Sequence, residues 1–137
     1  PPVIRAVLEF EQVKNQLVVI DAPPGTACSF VTAVKDSDYT IFITEATPFG
    51  LHDLKLAIET IAELEVPFGV VINKADSVEN LITEFCAGQN IPVLLQIPES
   101  RTVAEHYSKG KSLISALPEL KQQLIDLIGN LGNRGAA

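Results

Sequence analysis

Apolar and polar residues follow one another along the chain in blocks that predict a β-α-β order. Four short, continuous apolar runs are typical of strands that are buried on both faces of a parallel sheet. These predicted strands cover 17–20, 39–44, 68–72 and 92–97. Between them, apolar residues recur every three or four positions, which predicts helices. The predicted helices cover 26–35, 51–64, 78–87, 101–108 and a last segment that opens at Leu117-Pro118.

Strands that alternate with helices pair in parallel and are joined by right-handed crossovers. The sequence therefore predicts an α/β fold with a doubly wound, mainly parallel sheet and flanking helices. Its 137 residues contain no internal repeat, low-complexity stretch or linker, so we expect residues 1–137 to form a single domain. The apolar spacing of 3–14 favours a further helix, although its alternation also suits a strand.

Three of the predicted strands end in unusual turns. The run 21–26 (D-A-P-P-G-T) follows the first strand, 73–76 (N-K-A-D) follows the third, and 97–100 (I-P-E-S) closes the fourth. Ligands of open α/β sheets bind at the carboxyl ends of the strands. Because parallel strands end along one edge, we expect these three turns to share a ligand.

The first turn carries the residues best suited to phosphate chemistry. The carboxylate of Asp21 can hold a magnesium ion through its waters. Gly25 can adopt a positive φ, and its N–H can reach a phosphate oxygen. A structural interpretation stays open for both Asp21, as the cap of the following turn, and Asn73, as a turn-forming residue at a strand end.

The net charge and composition limit the kinds of ligand and partner that we expect. The net charge is −7 and no Lys/Arg cluster is present, which argues against direct binding of nucleic acid. A nucleotide remains compatible, because backbone N–H groups and a metal ion can bind phosphate. No apolar run is long enough for a membrane span, and two cysteines without a secretion signal predict a cytoplasmic location. The chain has no methionine and opens on two prolines, so we expect a piece of a longer protein.

The order D-A-P-P-G-T, T-E-A-T-P-F-G-L-H-D-L, V-V-I-N-K-A-D and Q-I-P-E-S resembles the second half of the MinD/ParA/Mrp superfamily of deviant P-loop ATPases. It is most similar to the MinD-like branch that often carries an inserted ferredoxin domain. The match runs from about residue 15 to the last helix. The resemblance implies that residues 1–137 are the C-terminal portion of a MinD-like nucleotide-binding domain, which is a P-loop fold that is incomplete here.

The resemblance also implies roles for individual residues. Asp21 matches the Walker B acid that orders magnesium-bound water, and Gly25 matches the switch glycine whose N–H senses the γ-phosphate. Asn73 matches the residue that hydrogen-bonds the base. The loop that lines the base and the ribose is matched by Ile97, Pro98 and Glu99. The implied cofactors are ATP and magnesium, and the implied partners are a second copy in a homodimer and an unidentified protein.

The sequence departs from the family at the phosphate site. No G-K-G-G-x-G-K-[ST] loop is present, and the triplet Gly110-Lys111-Ser112 lacks the glycine-rich lead. In the family, the missing first strand lies beside the Asp21 strand, so its absence should leave a gap or force the strands to pair differently. We therefore expect magnesium-dependent ATP hydrolysis and a dimer switch only in the intact protein. A nucleotide-free interaction domain of the same fold is the alternative.

The run Asn73-Lys74-Ala75-Asp76 has a second interpretation. N-K-x-D is the guanine signature of GTPases, in which the carboxylate, here Asp76, accepts hydrogen bonds from guanine N1–H and N2–H. In the resembled family the same strand end serves adenine, and Asp76 then caps the next helix. We favour adenine and keep a GTP-dependent switch as an alternative.

Cys28 follows Asp21 by seven positions. The nitrogenase iron protein, a member of the same superfamily, has a cysteine there that binds an iron–sulfur cluster across its dimer. No C-x-x-C is present, so the residues favour a small buried cysteine over a cluster ligand. Cys86 lies on an apolar helix face and is predicted in the core.

The remaining polar candidates are interpreted as surface residues without a role in a ligand site. His52 and His106 lack a metal-ligand partner four residues away, and both are predicted at the surface. Glu45 and Asp53 flank a loop near the ligand edge. They are interpreted as solvated charges, with contact to a partner as the alternative.

Overall fold

A computed structural model describes residues 17–25, 28–75 and 81–134 of the chain. Its strands are β1 (Thr40–Glu45), β2 (Phe68–Ala75) and β3 (Val93–Pro98), which form a parallel sheet in the order β1-β2-β3. β1 and β2 pair without interruption, whereas the pairing of β2 with β3 shifts register twice. The predicted α/β class is confirmed.

The helices of the described residues agree with the predicted ones, with one addition, α5. They are α1 (Cys28–Val34), α2 (Pro48–Ala62), α3 (Leu81–Gly88), α4 (Arg101–Ser108), α5 (Leu113–Ala116) and α6 (Glu119–Arg134). α2 begins three residues before its predicted start, because the Thr47 hydroxyl accepts a hydrogen bond from the Gly50 N–H and Pro48 occupies the first helical turn. The prediction for 3–14 lies outside the described residues.

The main core lies between one face of the sheet and helices α1, α2 and α3. The core residues of α2 and α3, the helices that follow β1 and β2, pack against the same face of the sheet, as right-handed crossovers would place them. Phe42 of β1 stands at the centre, with ring centroids 6.1 Å from Phe30 of α1 and 5.5 Å from Phe68 of β2. The other buried residues of this core are Ala33, Val34, Leu54, Ile61, Val66, Val70, Ile72, Ile82 and Cys86.

A second, smaller layer covers the other face. Val71 and Leu120 are buried but do not belong to the main core cluster. Val71 alternates with Val70 and Ile72 along β2, so it faces away from α2 and α3. α6, which carries Leu120, contacts β3. Helices therefore lie on both faces, as a doubly wound fold requires.

Two similar turns return the chain from helix to strand. Glu65-Val66-Pro67 follows α2 and Asn90-Ile91-Pro92 follows α3. Glu65 and Asn90 both have a φ of 56°, in the left-handed region that commonly ends helices. The two proline carbonyls then accept hydrogen bonds of 2.9 Å from the N–H groups of Thr40 and Val70. Each turn is thereby attached to the strand beside it.

The predicted strand at 17–20 is wrong. Leu17, Val18, Val19 and Ile20 form no strand and are exposed, Val19 to 81%. A strand is stabilised only when a neighbour satisfies its backbone groups, and the described sheet ends at β1. β1 is also less buried than predicted, because Ile41 and Ile43 on its outer face are exposed.

Candidate functional site at the carboxyl edge of the sheet

The carboxyl ends of the three strands lie side by side. Glu45 at the end of β1 pairs with Asn73, and Ala75 at the end of β2 pairs with Pro98. The Glu99 N–H donates to the Ala75 carbonyl over 3.2 Å. The structure thus brings together two of the three turns that the sequence predicts to share a ligand. We call this region the carboxyl edge; it comprises Glu45, Asn73–Ala75 and Ile97–Glu99.

Lys74 holds an unusual position within this edge. Its φ is 50°, in the left-handed region that non-glycine residues rarely adopt. It lies within the stretch where the pairing of β2 with β3 shifts register. Such a bulge redirects a side chain and is common beside functional sites. Here the Lys74 ammonium reaches across to β1, where Nζ lies 2.7 Å from Oε1 of Glu45.

The ion pair favours the charged form of Lys74. Its hydrogen bond to Glu45 and the charge of Glu45 raise the pKa of Lys74 above the usual 10.5, and Glu99 adds a smaller contribution. Both partners remain about half exposed, 57% for Lys74 and 47% for Glu45, so solvent screens much of the attraction. The interpretation of Glu45 as a solvated charge is therefore incomplete.

The loop between β1 and α2 is tightly built. The Thr44 hydroxyl donates to the Gly50 carbonyl, and the Gly50 N–H donates to the Thr47 hydroxyl, each over 3.0 Å. The Thr47 N–H donates to the Glu45 carbonyl over 2.8 Å. A Cβ atom at Gly50 would stand 2.3 Å from the same Glu45 carbonyl oxygen, so only glycine fits. These contacts fix the backbone from which Glu45 reaches Lys74.

The turn at 21–25 is only partly as predicted. Asp21 is exposed and does not follow a strand, because 17–20 forms none. Ala22 packs against the main core. Gly25 has a φ of +88°, and a Cβ there would meet no atom within 4 Å. The positive φ expected at Gly25 is confirmed, whereas the position of Asp21 at a strand end is not.

The structure gives the burial of the cysteine and histidine candidates. Cys28 is exposed at the start of α1, so its predicted burial is wrong, whereas Cys86 is buried as predicted. Burial raises the pKa of the Cys86 thiol. His52 is exposed as expected. His106 is half-buried, and its Nδ1 donates to the Thr102 carbonyl over 2.9 Å at the surface of α4.

The described residues bear on metal ligation, whereas the guanine signature includes a residue that lies outside them. Among the described residues, no group of three or more His, Cys, Asp or Glu side chains is placed to hold a metal ion. Asp76, which completes the N-K-A-D run, lies outside the described residues. Its role as a guanine acceptor or as a helix cap stays a prediction.

The chemistry of the carboxyl edge suits a planar polar group better than an anion. The half-buried Asn73 side chain offers a donor and an acceptor. The nearby Glu99 N–H is already engaged by the Ala75 carbonyl, and Pro98 has no N–H to donate. The positive charge that the edge contains, that of Lys74, is engaged with Glu45. Binding of phosphate would require further backbone N–H groups or cations.

Comparisons with known proteins give distant relatives. No family model matches the chain, and no solved structure matches it. An uncharacterized protein of Methanocaldococcus jannaschii is 30% identical over 99 residues, which is 72% of this chain and 34% of that protein. A second uncharacterized protein of that organism is 32% identical over 116 residues, which is 74% of this chain and 42% of that protein.

A third relative has a name that states a function. An iron-sulfur cluster carrier protein of Aquifex aeolicus is 25% identical over 138 residues, which is 87% of this chain and 38% of that protein. The chain is a distant relative of this carrier protein. It spans between 34% and 42% of the length of these three relatives. Within the described part of the chain, no helix is long and apolar enough to cross a membrane.

Proposed function

We propose that this chain is the base-binding portion of a MinD-like ATP-binding domain, completed in a longer protein by a phosphate-binding loop. The observation that carries the proposal is the position of Asn73 beside Ile97–Glu99 at the carboxyl edge of a parallel sheet. This is the edge where open α/β sheets bind ligands. The distant similarity to a carrier protein for iron–sulfur clusters supports a related domain.

In this proposal Asn73 recognises the base and the backbone at Ile97, Pro98 and Glu99 lines it. A half-buried amide is suited to this role, because its donor and acceptor can pair with the edge of a purine while part of its surface is already desolvated. Adenine is the preferred base. Guanine recognition through Asp76 is the competing assignment, and the titration below separates the two.

ATP and magnesium are the proposed cofactors. Asp21 would hold magnesium through water, and the N–H of Gly25 would contact the terminal phosphate. The positive φ of Gly25 and the open space around it allow such an approach. Asp21 reaches the edge only if 17–20 joins the sheet, so both roles belong to the longer protein. There, hydrolysis would drive a homodimer switch that acts on a further protein partner.

An iron–sulfur cluster fits the described residues poorly. Cys28 is exposed and could ligate iron, but Cys86 lies in the main core. The described side chains offer no group of ligands that could complete a site around Cys28. A cluster held through Cys28 would therefore need ligands from a second copy or another chain, and no reaction step is assigned to it.

Calorimetric titration with Mg-ATP and Mg-GTP tests the proposal. We expect no appreciable binding of either nucleotide to the 137-residue chain, because the contacts to phosphate are missing. We expect Mg-ATP to bind the longer gene product that contains it. Preference for Mg-GTP there would support the GTP-dependent switch. Failure to bind either nucleotide would support an interaction domain that does not use nucleotides.

A further inference from the structure

The backbone of Lys74 is strained at an unusual place in the fold. Among the residues that the structure describes, three other than glycine have a positive φ, namely Glu65, Lys74 and Asn90. Glu65 and Asn90 follow helices, where the left-handed conformation commonly ends the helix. Lys74 instead lies within β2, where regular strand geometry requires a negative φ. Such strain persists where surrounding contacts stabilise it, and it is common at functional sites.

The left-handed conformation determines which side of the sheet the Lys74 side chain reaches. Val70 and Ile72 belong to the main core, so regular alternation along β2 would direct Lys74 toward that same face. Glu45 shares the other, exposed face of β1 with Ile43. The positive φ interrupts the alternation, and Nζ of Lys74 lies 2.7 Å from Oε1 of Glu45. The ion pair therefore depends on the strained backbone and opposes its return to a regular strand.

The residues on either side of Lys74 belong to the carboxyl edge. Asn73 precedes Lys74 and pairs with Glu45 in the sheet. Ala75 follows Lys74, and its carbonyl accepts a hydrogen bond of 3.2 Å from the Glu99 N–H. The backbone conformation at Lys74 therefore determines the direction of Asn73 and the position of the strand end to which Glu99 is bonded.

Glu45 is attached to the loop that follows β1. The Thr47 N–H donates to the Glu45 carbonyl over 2.8 Å. Gly50 lies so close to the same carbonyl oxygen that no Cβ atom would fit there. The backbone of Glu45 is thus fixed, and its carboxylate offers Lys74 a partner at a defined position.

We propose that Glu45 and Lys74 are positioning residues of the base site, whose ion pair stabilises the left-handed bulge of β2 that directs Asn73 and the strand end bonded to Glu99 toward the base. This inference rests on the proposed function, which assigns the base to this edge. Neither Glu45 nor Lys74 touches the base in this arrangement. Because the ion pair is about half exposed, its effect on affinity should be modest.

Hydrogen exchange of the Glu99 amide tests the positioning in the 137-residue chain without nucleotide. Glu45→Ala removes the partner of Lys74, and we expect the Glu99 amide to exchange about threefold faster as the end of β2 loosens. Glu59→Ala, at an exposed position of α2, is the matched control and should leave this rate unchanged. An unchanged Glu99 rate in Glu45→Ala would overturn the proposal.

A rescue variant separates positioning from direct contact with the nucleotide. Glycine adopts a positive φ without steric strain, so Lys74→Gly can maintain the bulge without an ion pair. In the longer gene product we expect Glu45→Ala to weaken Mg-ATP binding by about threefold, measured by calorimetry. Addition of Lys74→Gly should restore most of the affinity, whereas addition of Lys74→Ala should not. If Lys74→Gly restores no affinity, the positioning role is wrong.

The same titration distinguishes failure of this inference from failure of the proposed function. Absence of Mg-ATP binding by the natural longer protein would reject the proposed function, and the positioning role with it. Normal binding by the natural protein, with equal affinity in Glu45→Ala, would overturn the positioning role alone.

Discussion

Gly50 occupies a point where the backbone of the loop after β1 turns back on itself. A Cβ at this position would lie 2.3 Å from the Glu45 carbonyl oxygen and 2.8 Å from the Thr44 hydroxyl oxygen. Because one of these neighbours is backbone, the clash cannot be relieved by turning a side chain. The loop is therefore specified by the absence of a side chain at one residue.

Gly50→Ala should destabilise the protein by about 1–3 kcal/mol, the range for overpacking at a tight site. Urea unfolding followed by circular dichroism measures the change in the free energy of unfolding. Gly129→Ala is the matched control, because a Cβ at Gly129 in α6 meets no atom within 4 Å. Replacement of a helical glycine by alanine should stabilise by about 0.5–1 kcal/mol. Equal effects of the two changes would contradict the account of the loop.

Glu65 is the reverse of Gly50. Its backbone conformation favours glycine, but the residue there has a side chain. Its φ is 56° in the turn after α2, and its side chain is exposed. Glu65→Gly should therefore stabilise the protein by up to about 1 kcal/mol, because the left-handed conformation costs an L-residue about 1–2 kcal/mol and glycine loses part of that gain to its freer unfolded chain. Chemical denaturation checks the sign. Glu63→Gly, at the right-handed C-cap, is the control and should not stabilise.

At the scale of elements, the sequence does not predict the ion pair between the ends of β1 and β2. Lys74 reaches Glu45 because β2 bulges with a positive φ at Lys74 itself. Hydrophobic periodicity describes regular strands and carries no signal for such a bulge. An N-K-A-D run indicates a functional turn, but it does not indicate which residue of the neighbouring strand the lysine will meet.

Glu45→Gln should lower the pKa of Lys74, because the hydrogen bond and charge of Glu45 are the main causes of its increase. Since the pKa of Lys74 is raised in the folded state, the stabilisation is complete below the unfolded pKa of about 10.5 and is lost as pH rises through the folded pKa. An NMR titration that follows the Lys74 ammonium measures the change. Glu99→Gln is the control and should produce a smaller decrease. An unchanged pKa in Glu45→Gln would show that the pair does not persist in solution.

The sequence predicts which helices and strands can form better than it predicts which strands pair with a neighbouring strand. The strands near 40, 68 and 93 and the helices between them follow from apolar spacing alone. The run Leu17–Ile20 has the same composition as those strands, yet it forms none. Local composition describes what a segment can form, whereas a strand also needs a neighbour for its backbone groups. The sheet that is described offers no neighbour to this run.

The carboxyl edge was predictable to the extent that topology determines it. Alternation of strands and helices implies parallel pairing, and parallel pairing brings Asn73 and Pro98 to one edge. The position of Asp21 was not predictable in the same way, because it depends on a strand that the described residues do not contain. The tight loop around Gly50 also required the structure, since its hydrogen bonds join residues that carry no motif by themselves.

At the scale of the whole molecule, the described residues combine a well-packed core with one side on which apolar residues are exposed. The core between the sheet and α1–α3 contains fully buried residues such as Ile61, Val70 and Cys86. Around β1 and 17–20, apolar side chains remain exposed. In the proposed function, the chain is a portion of a larger α/β domain, and the relatives it matches are longer than this chain.

The most direct test of this account is the affinity of the longer gene product for Mg-ATP, measured by calorimetry for the natural protein and for Asn73→Ala. Loss of a half-buried hydrogen bond to the base should weaken binding by about tenfold. Gln96→Ala, an exposed position on β3 near the same edge, is the control and should bind as the natural protein does. Equal affinity for Asn73→Ala and the natural protein would contradict the assignment of the carboxyl edge as the base-binding site.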